Sequence, residues 1–143
     1  MRRLVIDANI AAKWYLPESD SAVAERLFEL NAEYHAPAFL ETEFASIFWK
    51  HSVAKTTSID VWRTARAQLK KAIPHWHEDA SLHDLALELA ITHKHHIFDC
   101  IDLALAFQID GTVVTADKQF LARFEKSQDA ERIVALENYV STL

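Results

Sequence analysis

Four acidic residues stand where a folded chain could bring their carboxylates together. Asp7, Asp99 and Asp117 each follow a short apolar run that has the character of a buried strand, and Glu43 lies on the apolar stripe of a predicted helix. In a parallel α/β sheet the carboxyl ends of the strands face one crevice, so aspartates at those ends would meet there. Converging carboxylates repel one another unless they are protonated or share a cation, and hard divalent cations prefer such oxygen ligands. The pattern therefore predicts metal-dependent phosphate chemistry.

Each aspartate also has a simpler explanation, because each stands where a predicted helix begins. A carboxylate at that position caps the helix by accepting a hydrogen bond from a free backbone N–H group. The two explanations are compatible, since one oxygen can cap while the other binds a metal. Glu43 has no such explanation. A carboxylate on a buried stripe loses its hydration and has to be paired, protonated or bound to a cation, of which we favour the cation.

Other polar residues near these acids could support the same site. Asp102 follows Asp99 by one helical turn, so both carboxylates can lie on one face of an otherwise apolar helix. Pairing of Asp102 with a basic residue elsewhere is the alternative. Asn9 and Thr115 each lie within two residues of one of the other aspartates, where they could orient a carboxylate or hold a metal-bound water. Helix initiation and strand propensity explain these two residues about as well.

The composition sets the broad class of the protein. A chain of 143 residues predicts a single domain, residues 1–143, and half of its residues are apolar, enough for a core without staples. The lone Cys100 has no partner for an intramolecular disulfide, which favours a reducing, cytoplasmic location. The sequence predicts neither a signal peptide nor a membrane-spanning segment.

The near absence of glycine excludes two phosphate-binding classes. Gly111 is the only glycine, whereas the dinucleotide fingerprint and the P-loop both need glycines where the backbone approaches phosphate. The chain also lacks the G-x-S-x-G motif of serine hydrolases. The motifs that fit this sequence are those built from side-chain carboxylates.

The charge distribution differs from the net charge of −6, which is unusual for a nucleic-acid-binding protein. Between Phe44 and Ile73, six basic residues accompany a single acid, Asp60. A basic helical arm beside an acidic cleft could hold a phosphate backbone, although a solvated helix face explains most charge runs of this kind. The candidate contacts to an RNA backbone are Lys50, Lys55, Arg63, Arg66, Lys70 and Lys71.

Strand and helix patterns alternate along the chain, which predicts a parallel central sheet of about five short strands with helices on both faces. The predicted strands are residues 3–6, 34–36, 75–77, 112–115 and 133–136. The predicted helices are residues 9–15, 37–54, 59–72, 81–94, 99–109 and 117–124, one that runs from a cap at 19–21 to about 30, and a final turn or helix at 137–143. Pro37 suits the first turn of its helix, and the helix at 99–109 is apolar almost all round, as buried helices are.

The histidines and tryptophans give weaker signals. Without cysteine ligands, two short histidine groups are poor evidence for zinc, and exposed positions near a helix C-terminus explain the second group better. We predict that the tryptophans lie in the core or at interfaces. The histidine groups are His75 with His77 and His93 with His95 and His96, and the tryptophans are Trp14, Trp49, Trp62 and Trp76.

Taken in order, four segments resemble the PIN domain, and within it the VapC-type toxins of bacterial toxin–antitoxin pairs. They are VIDAN at residues 5–9, APAFLETE at 36–43, FDCIDLALA at 98–106 and VTAD at 114–117, and together they span essentially the whole chain. The resemblance implies a Rossmann-like sheet of parallel strands and Mg²⁺- or Mn²⁺-dependent cleavage of RNA. It also implies a homodimer that is inhibited by a small cognate antitoxin protein.

The resemblance implies four acidic metal ligands, which by position are Asp7, Glu43, Asp99 and Asp117. Asn9 takes the place of a small polar residue, and Thr115 matches the threonine before the last acid. Two positions depart from the family pattern: Ser46 stands where an asparagine is frequent, and Asp102 stands where an aromatic residue is common. The shorter serine could weaken the positioning of water or substrate, and Asp102 could contact a further metal or raise the pKa of a neighbour.

Two other functions fit parts of the pattern. A non-catalytic module could use a PIN-like fold only to dock RNA or a protein partner, but such a module has no reason to keep buried charge. A phosphotransfer domain would use an aspartate after the first strand, a threonine near a late strand and Lys118. That class requires paired acids after the first strand and leaves Glu43 unexplained. A metal-dependent ribonuclease is therefore the preferred hypothesis.

Overall fold

The computed structural model of the chain describes residues 1–140, and its centre is a five-stranded parallel sheet. The strands lie in the order β3-β2-β1-β4-β5. They are β1 (Arg2–Ile6), β2 (Ala32–Pro37), β3 (His75–His77), β4 (Thr112–Thr115) and β5 (Ile133–Ala135). The chain adds β2 and β3 on one side of β1 and later β4 and β5 on the other, so the direction in which strands are added reverses between β1 and β4. In an open α/β sheet, ligands bind in the crevice at this point of reversal.

Helices cover both faces of the sheet, as the alternating pattern predicts. They are α1 (Ala8–Lys13), α2 (Ser21–Glu25), α3 (Phe39–Val53), α4 (Ile59–Ala72), α5 (His83–His93), α6 (Ile97–Ile109), α7 (Lys118–Phe124) and α8 (Leu136–Val140). Three short 3₁₀ turns lie at Arg26–Glu29, Asp79–Ser81 and Gln128–Arg132. Residues 141–143 of the last predicted segment lie outside the described residues. No helix within residues 1–140 combines the length and the hydrophobicity needed to cross a bilayer.

Two hydrophobic cores form because side chains alternate between the faces of each strand. On β1, Leu4 and Ile6 point into one core with Phe44 of α3. Val5 points into the other core, where Leu103 of α6 packs. Because both cores are closed around β1, the residues at its carboxyl end are held in a fixed position.

Several predicted boundaries are wrong, and three of them are instructive. Residues 97–98 are not the end of a strand, since α6 begins at Ile97 and His96 caps it by accepting from Phe98 N at 3.2 Å. A short apolar run does not distinguish a strand from a buried helix. Pro37 ends β2 instead of opening α3, which starts at Phe39. The helix predicted to reach residue 30 stops at residue 25 and continues as the 3₁₀ turn Arg26–Glu29.

Gly111 fills a position between α6 and β4 where the backbones come very close. A Cβ atom at this residue would lie 2.5 Å from the carbonyl oxygen of Arg3 on β1 and 3.1 Å from the Ile109 side chain. The first distance is a clash with backbone, which cannot turn away as a side chain can. The only glycine of the chain is therefore required by close approach.

Candidate active site

Asp7 and Thr115 join the carboxyl ends of the two central strands. Asp7 follows β1 and is only 4% exposed. Its Oδ1 accepts from the backbone N–H of Asn9 at 3.0 Å, and its Oδ2 accepts from the Thr115 hydroxyl at 2.7 Å. The same hydroxyl oxygen accepts from the backbone N–H of Asp117 at 3.0 Å. This chain of hydrogen bonds fixes the Asp7 carboxylate between β1 and β4, where the strand order reverses.

Asp117 uses one carboxylate oxygen to cap α7. Its Oδ1 accepts from the backbone N–H groups of Gln119 and Phe120, at 2.9 Å and 3.3 Å. Asp7 also caps a helix, α1, through its bond from Asn9. Both aspartates are therefore helix caps, as the simpler explanation predicts, yet the Oδ2 atom of Asp117 takes no part in capping. Capping and metal binding are compatible in this geometry.

Glu43 and Asp102 carry buried oxygens that have no hydrogen-bond partner in the described part of the chain. Glu43 lies half-buried on α3, where its Oε1 is orphaned. Asp102 lies on α6 at 2% exposure, where its Oδ1 is orphaned. A buried carboxylate oxygen without a partner costs free energy, because the water it has lost is not replaced. The alternative prediction, that a basic residue pairs with Asp102, is wrong within residues 1–140, where Asp102 forms no ion pair.

The acids perturb one another strongly. Burial raises the pKa of Asp7 from 3.8 to about 6, with further upward contributions from the charges of Asp99 and Asp117. Burial also raises the pKa of Glu43 from 4.5 to about 8, and the charges of Asp7 and Asp99 add to that rise. The pKa of Asp102 is raised well above its usual value, first by burial and then by Asp7 and Glu43. Glu43 thus lies within electrostatic range of the aspartates.

Asp99 has a partner that the sequence reasoning assigned to the protein surface. It lies in the first turn of α6, and its Oδ2 is 2.7 Å from Nε2 of His95. Burial raises the pKa of Asp99, and the hydrogen bond and charge of His95 oppose the rise. The His95 side chain is only 10% exposed and stacks on Phe120, so the prediction of an exposed histidine is wrong. The same prediction is wrong for His93, which is mostly buried and bonds to Asp129.

Asp79 is an acid of this site that the sequence reasoning missed. It follows β3 and its Oδ1 accepts from the backbone N–H of Phe39, at the start of α3, at 3.0 Å. Its charge contributes to the raised pKa values of Glu43 and Asp102. The signal was available in the sequence, because Asp79 stands just after a predicted strand, as Asp7 does.

The acids present an all-oxygen donor set that fits a hard divalent cation such as Mg²⁺ or Mn²⁺. The orphaned oxygens of Glu43 and Asp102 are the atoms that such an ion would satisfy. Within residues 1–140, no three of these acids bring oxygens that all lie within 4.8 Å of one another. Binding of one ion by three of them therefore requires their side chains to move closer together.

A cleft of about 460 Å³ opens beside Glu43. The rings of Phe39 and Phe98 lie 4.7 Å apart on its wall, and Phe98 is 43% exposed. The cleft is lined by Ala8, Asn9, Phe39, Thr42, Glu43, Ser46, Ile47, Lys50 and Phe98. Two of the predicted supporting residues, Asn9 and Ser46, thus line the same cleft as Glu43.

The basic residues of α3 and α4 are not equally available for a substrate. Arg66 and Lys70 both bind Glu41, at 3.2 Å and 3.3 Å, so Glu41 is a structural partner of α4. Arg63 lies 3.2 Å from Asp60. In the described residues, Lys50, Lys55 and Lys71 form no ion pair, and of the six candidates Lys50 alone lines the cleft.

This arrangement, in which acids that follow strands meet acids on α3 and α6 near the point where the strand order reverses, agrees with what sequence comparison finds. A profile of the PIN domain family matches residues 4–126, and the chain belongs to this family. It is 31% identical over 130 residues to Ribonuclease VapC3 of Pyrobaculum aerophilum, an alignment that covers 85% of this chain and 95% of that protein. The predicted PIN domain is confirmed.

The fold is also similar to a solved structure. The crystal structure of PAE2754 from Pyrobaculum aerophilum superimposes with a TM-score of 0.65 and covers 99% of this chain and 88% of that chain. The two sequences are 17% identical, so this likeness speaks for the fold alone.

Proposed function

We propose that this protein is a ribonuclease that hydrolyses RNA phosphodiester bonds with Mg²⁺ or Mn²⁺, and that it is the toxin of a VapBC-type toxin–antitoxin pair. The observation that best supports metal binding is the pair of buried, unpartnered oxygens on Glu43 and Asp102, close to Asp7. The similarity to a protein named Ribonuclease VapC3 supports the class of reaction. Reaction and metal together account for buried carboxylates that otherwise destabilise the fold.

Each acid has a role that follows from its position. Asp7, Glu43, Asp99 and Asp117 would hold the cation, which when bound activates water and stabilises charge on the leaving oxygen. Thr115 holds Asp7 in place, and His95 holds Asp99. Because Glu43 has a pKa of about 8, it carries a proton near neutral pH in the metal-free protein. Metal binding would therefore release a proton from this site.

The cleft beside Glu43 is the path we propose for RNA. Lys50 would neutralise a phosphate, and the exposed ring of Phe98 would stack on a base. Asn9 and Ser46 would supply polar contacts to substrate or water. Arg66 and Lys70 would contribute less than the sequence suggests, because Glu41 already binds both.

Exposed apolar side chains support protein partners, for which we propose a cognate antitoxin and a second copy of this chain. Trp49 and Val53 of α3 and Ile59 of α4 are all more than half exposed. Exposed apolar residues are common at protein interfaces, and these three lie within eleven residues of one another in the sequence. Multi-angle light scattering on the purified protein would measure the oligomeric state directly.

We propose that residues 1–143 form one domain and act in the cytoplasm.

The test of this function is cleavage of end-labelled RNA by the wild-type protein and by Asp7→Asn. We expect cleavage that needs Mg²⁺ or Mn²⁺, stops with chelator, and falls at least about 100-fold in the variant, since a group that supports transition-state charge is lost. Asp84→Asn is the matched control, because Asp84 is exposed on α5 and forms no ion pair in the described residues. Undiminished cleavage by Asp7→Asn would contradict the proposal.

A calorimetric titration with Mn²⁺ separates the ribonuclease from the non-catalytic alternative. We expect the wild-type protein to bind Mn²⁺ and Asp7→Asn to bind it much more weakly. A protein that binds RNA but neither binds Mn²⁺ nor cleaves would be a docking module.

A further inference from the structure

A group of histidines and one glutamate lies on the outer strands of the sheet, away from the acids. In the parallel register, His35 of β2 pairs with His75 of β3, and Pro37 pairs with His77. Side chains two residues apart on a strand share a face, so Glu33 and His35 on β2 lie on the same face as His75 and His77 on β3. One ligand atom from each of Glu33, His35 and His75 can be chosen so that all three lie within 4.8 Å of one another.

The contacts within this group centre on the buried ring of His35, which is 6% exposed. Its Nε2 lies 3.1 Å from Oε1 of Glu33, and its Nδ1 lies 2.9 Å from Nε2 of His77. Glu33 is partly exposed and His75 is exposed, so solvent reaches the group from one side. One fixed, buried nitrogen is thus combined with two accessible ligands.

We propose that Glu33, His35 and His75 form a second metal site, for a borderline divalent cation of the zinc class, with water completing the coordination. Imidazole nitrogens suit Zn²⁺, Ni²⁺ and Cu²⁺, whereas Mg²⁺ prefers oxygen ligands and retains its waters. Ligands of a tetrahedral zinc ion are roughly 3.3 Å apart when each lies about 2.0 Å from the metal. The 3.1 Å between Glu33 and His35 is close to that spacing, so a cation can replace the hydrogen bond between these atoms, with the single N–H of the neutral His35 ring then on Nδ1.

The surroundings of His35 already provide the support that a metal ligand needs. A ligating histidine usually donates its second ring N–H to an acceptor, which fixes the tautomer and the direction of the ring. Nε2 of His77 is in place to accept from Nδ1–H of His35. Two groups have to move when the cation binds. The His75 ring, now stacked 4.5 Å from that of His35, turns toward Glu33, and the exposed Arg3 guanidinium leaves its position 3.5 Å from Glu33.

This site is separate from the acids and independent of the proposed ribonuclease function. Glu33 pairs with Arg3, four residues before Asp7 on β1, which places it roughly 13 Å back along the strand direction. The metal would join β2 to the three-residue edge strand β3. Because the carbonyl of His77 accepts from Ala38 N at 2.7 Å, just before α3, a firmer β3 also supports the start of α3.

The proposal is tested by calorimetric titration of the metal-stripped, full-length protein with zinc chloride in excess Mg²⁺, which competes with zinc for the acidic site. We expect one zinc ion per chain. His75→Ala and Glu33→Gln should weaken its binding at least about tenfold, and His77→Ala by roughly tenfold through loss of the acceptor for His35. Circular dichroism checks that each variant is folded, and thermal melting should show a zinc-dependent rise in Tm in the wild type that His75→Ala lacks.

Asp99→Asn is the matched control for binding elsewhere, because His95 and Asp99 offer another nitrogen–oxygen pair. Zinc affinity that is unchanged in this variant but lost in His75→Ala supports the site. Unchanged affinity in both His75→Ala and Glu33→Gln overturns it, as does zinc binding that only Asp99→Asn removes. Cobalt substitution gives a second readout, because a nitrogen-ligated tetrahedral Co²⁺ has visible absorption bands that His75→Ala should abolish.

Discussion

The acids around Asp7 and the histidines around His35 are both ionisable groups at the sheet, yet they differ in how their charges are satisfied. The acids share one sign, and two of their buried oxygens, on Glu43 and Asp102, have no partner in the described residues. His35 has a partner at each of its ring nitrogens, Glu33 and His77. The first group is unfavourable without a cation, whereas the second is stable without one and binds a cation in place of the hydrogen bond between His35 and Glu33.

The difference shows that partner atoms indicate the role of a buried charge better than residue types do. Glu43 and Glu33 are the same residue type, and each would be a metal ligand in our proposals. Only Glu43 has an orphaned oxygen and a pKa raised to about 8. The pKa of Glu33 is lowered, first by its hydrogen bond from His35.

Removing the supporting residue of each group in turn should give the largest contrast. Thr115→Val keeps the shape of the side chain but removes the hydroxyl that donates to Asp7 and accepts from Asp117 N–H. We expect Mn²⁺ affinity and RNA cleavage to fall by about 10- to 100-fold, as is usual when an outer partner of a metal ligand is lost. Calorimetry and the labelled-RNA assay measure the two effects.

Two variants control this prediction. Thr115→Ser retains the hydroxyl and should recover most of both losses. His77→Ala, which removes the corresponding partner of His35, should leave Mg²⁺-dependent cleavage unchanged within error. If Thr115→Val cleaved like the wild type, Asp7 would not depend on its hydrogen bond from β4.

The two groups should change the stability of the metal-free protein in opposite directions with pH. The pKa of Glu43 is raised to about 8 in the folded state, so its contribution to stability is complete below about pH 4.5 and is lost as pH rises through 8. The pKa values of His35 and His77 are lowered, mainly by burial, so their contribution is present above about pH 6.5 and is lost as pH falls.

Urea denaturation in chelator measures both trends. We expect the wild-type protein to lose stability between about pH 5 and pH 8, and Glu43→Gln to reduce that loss by about 1–2 kcal/mol once partial solvent exposure is allowed for. Added Mg²⁺ should restore the wild-type protein at pH 8 and have little effect on the variant. If Glu43→Gln lost as much stability as the wild-type protein over this pH range without metal, Glu43 would not be the source of the loss.

The smallest expected effect concerns the basic residues. Lys50 lines the cleft, whereas Lys55 lies beyond the end of α3 and does not line it. Lys50→Ala should weaken RNA binding several-fold and reduce the slope of log K against log salt by about 1, since one phosphate contact is lost. Lys55→Ala is the matched control and should change both less. Filter binding over a series of salt concentrations gives the slope, and equal effects in both variants would argue against a path through the cleft.

Much of the fold follows from local pattern. The helix at residues 59–72 and the strands at 75–77 and 112–115 have the bounds that the sequence predicts, because each is enclosed by clear turn or cap residues. The pattern failed at residues 97–98, where an apolar run next to Asp99 looks the same whether it is a strand or the first turn of a buried helix. The prediction that Pro37 opens α3 was wrong because a proline suits a strand end and a helix start equally well.

The site is less predictable than the fold because it depends on contacts between distant residues. The carboxylates of Asp7 and Glu43 could be recognised from their positions after a strand and on an apolar stripe. The partners of Asp99 and His35 were missed for two reasons. His95 and Glu33 are only four and two residues away, but spacing alone does not show that these side chains turn toward each other. His77 meets His35 across neighbouring strands, and such a contact carries no local signal. His75 and His77 gave only a weak indication of metal because His35, their neighbour in space, is forty residues away from His75 in the chain.

The close contact at Gly111 has a consequence for how freely this chain can vary. An added methyl group would press on the carbonyl of Arg3, within the strand whose other end carries Asp7. Gly111 has no role in the chemistry, but it is linked to the Asp7 carboxylate through the backbone of β1. In an unselected library of single substitutions, we therefore expect active clones to be as depleted at residue 111 as at the acids themselves.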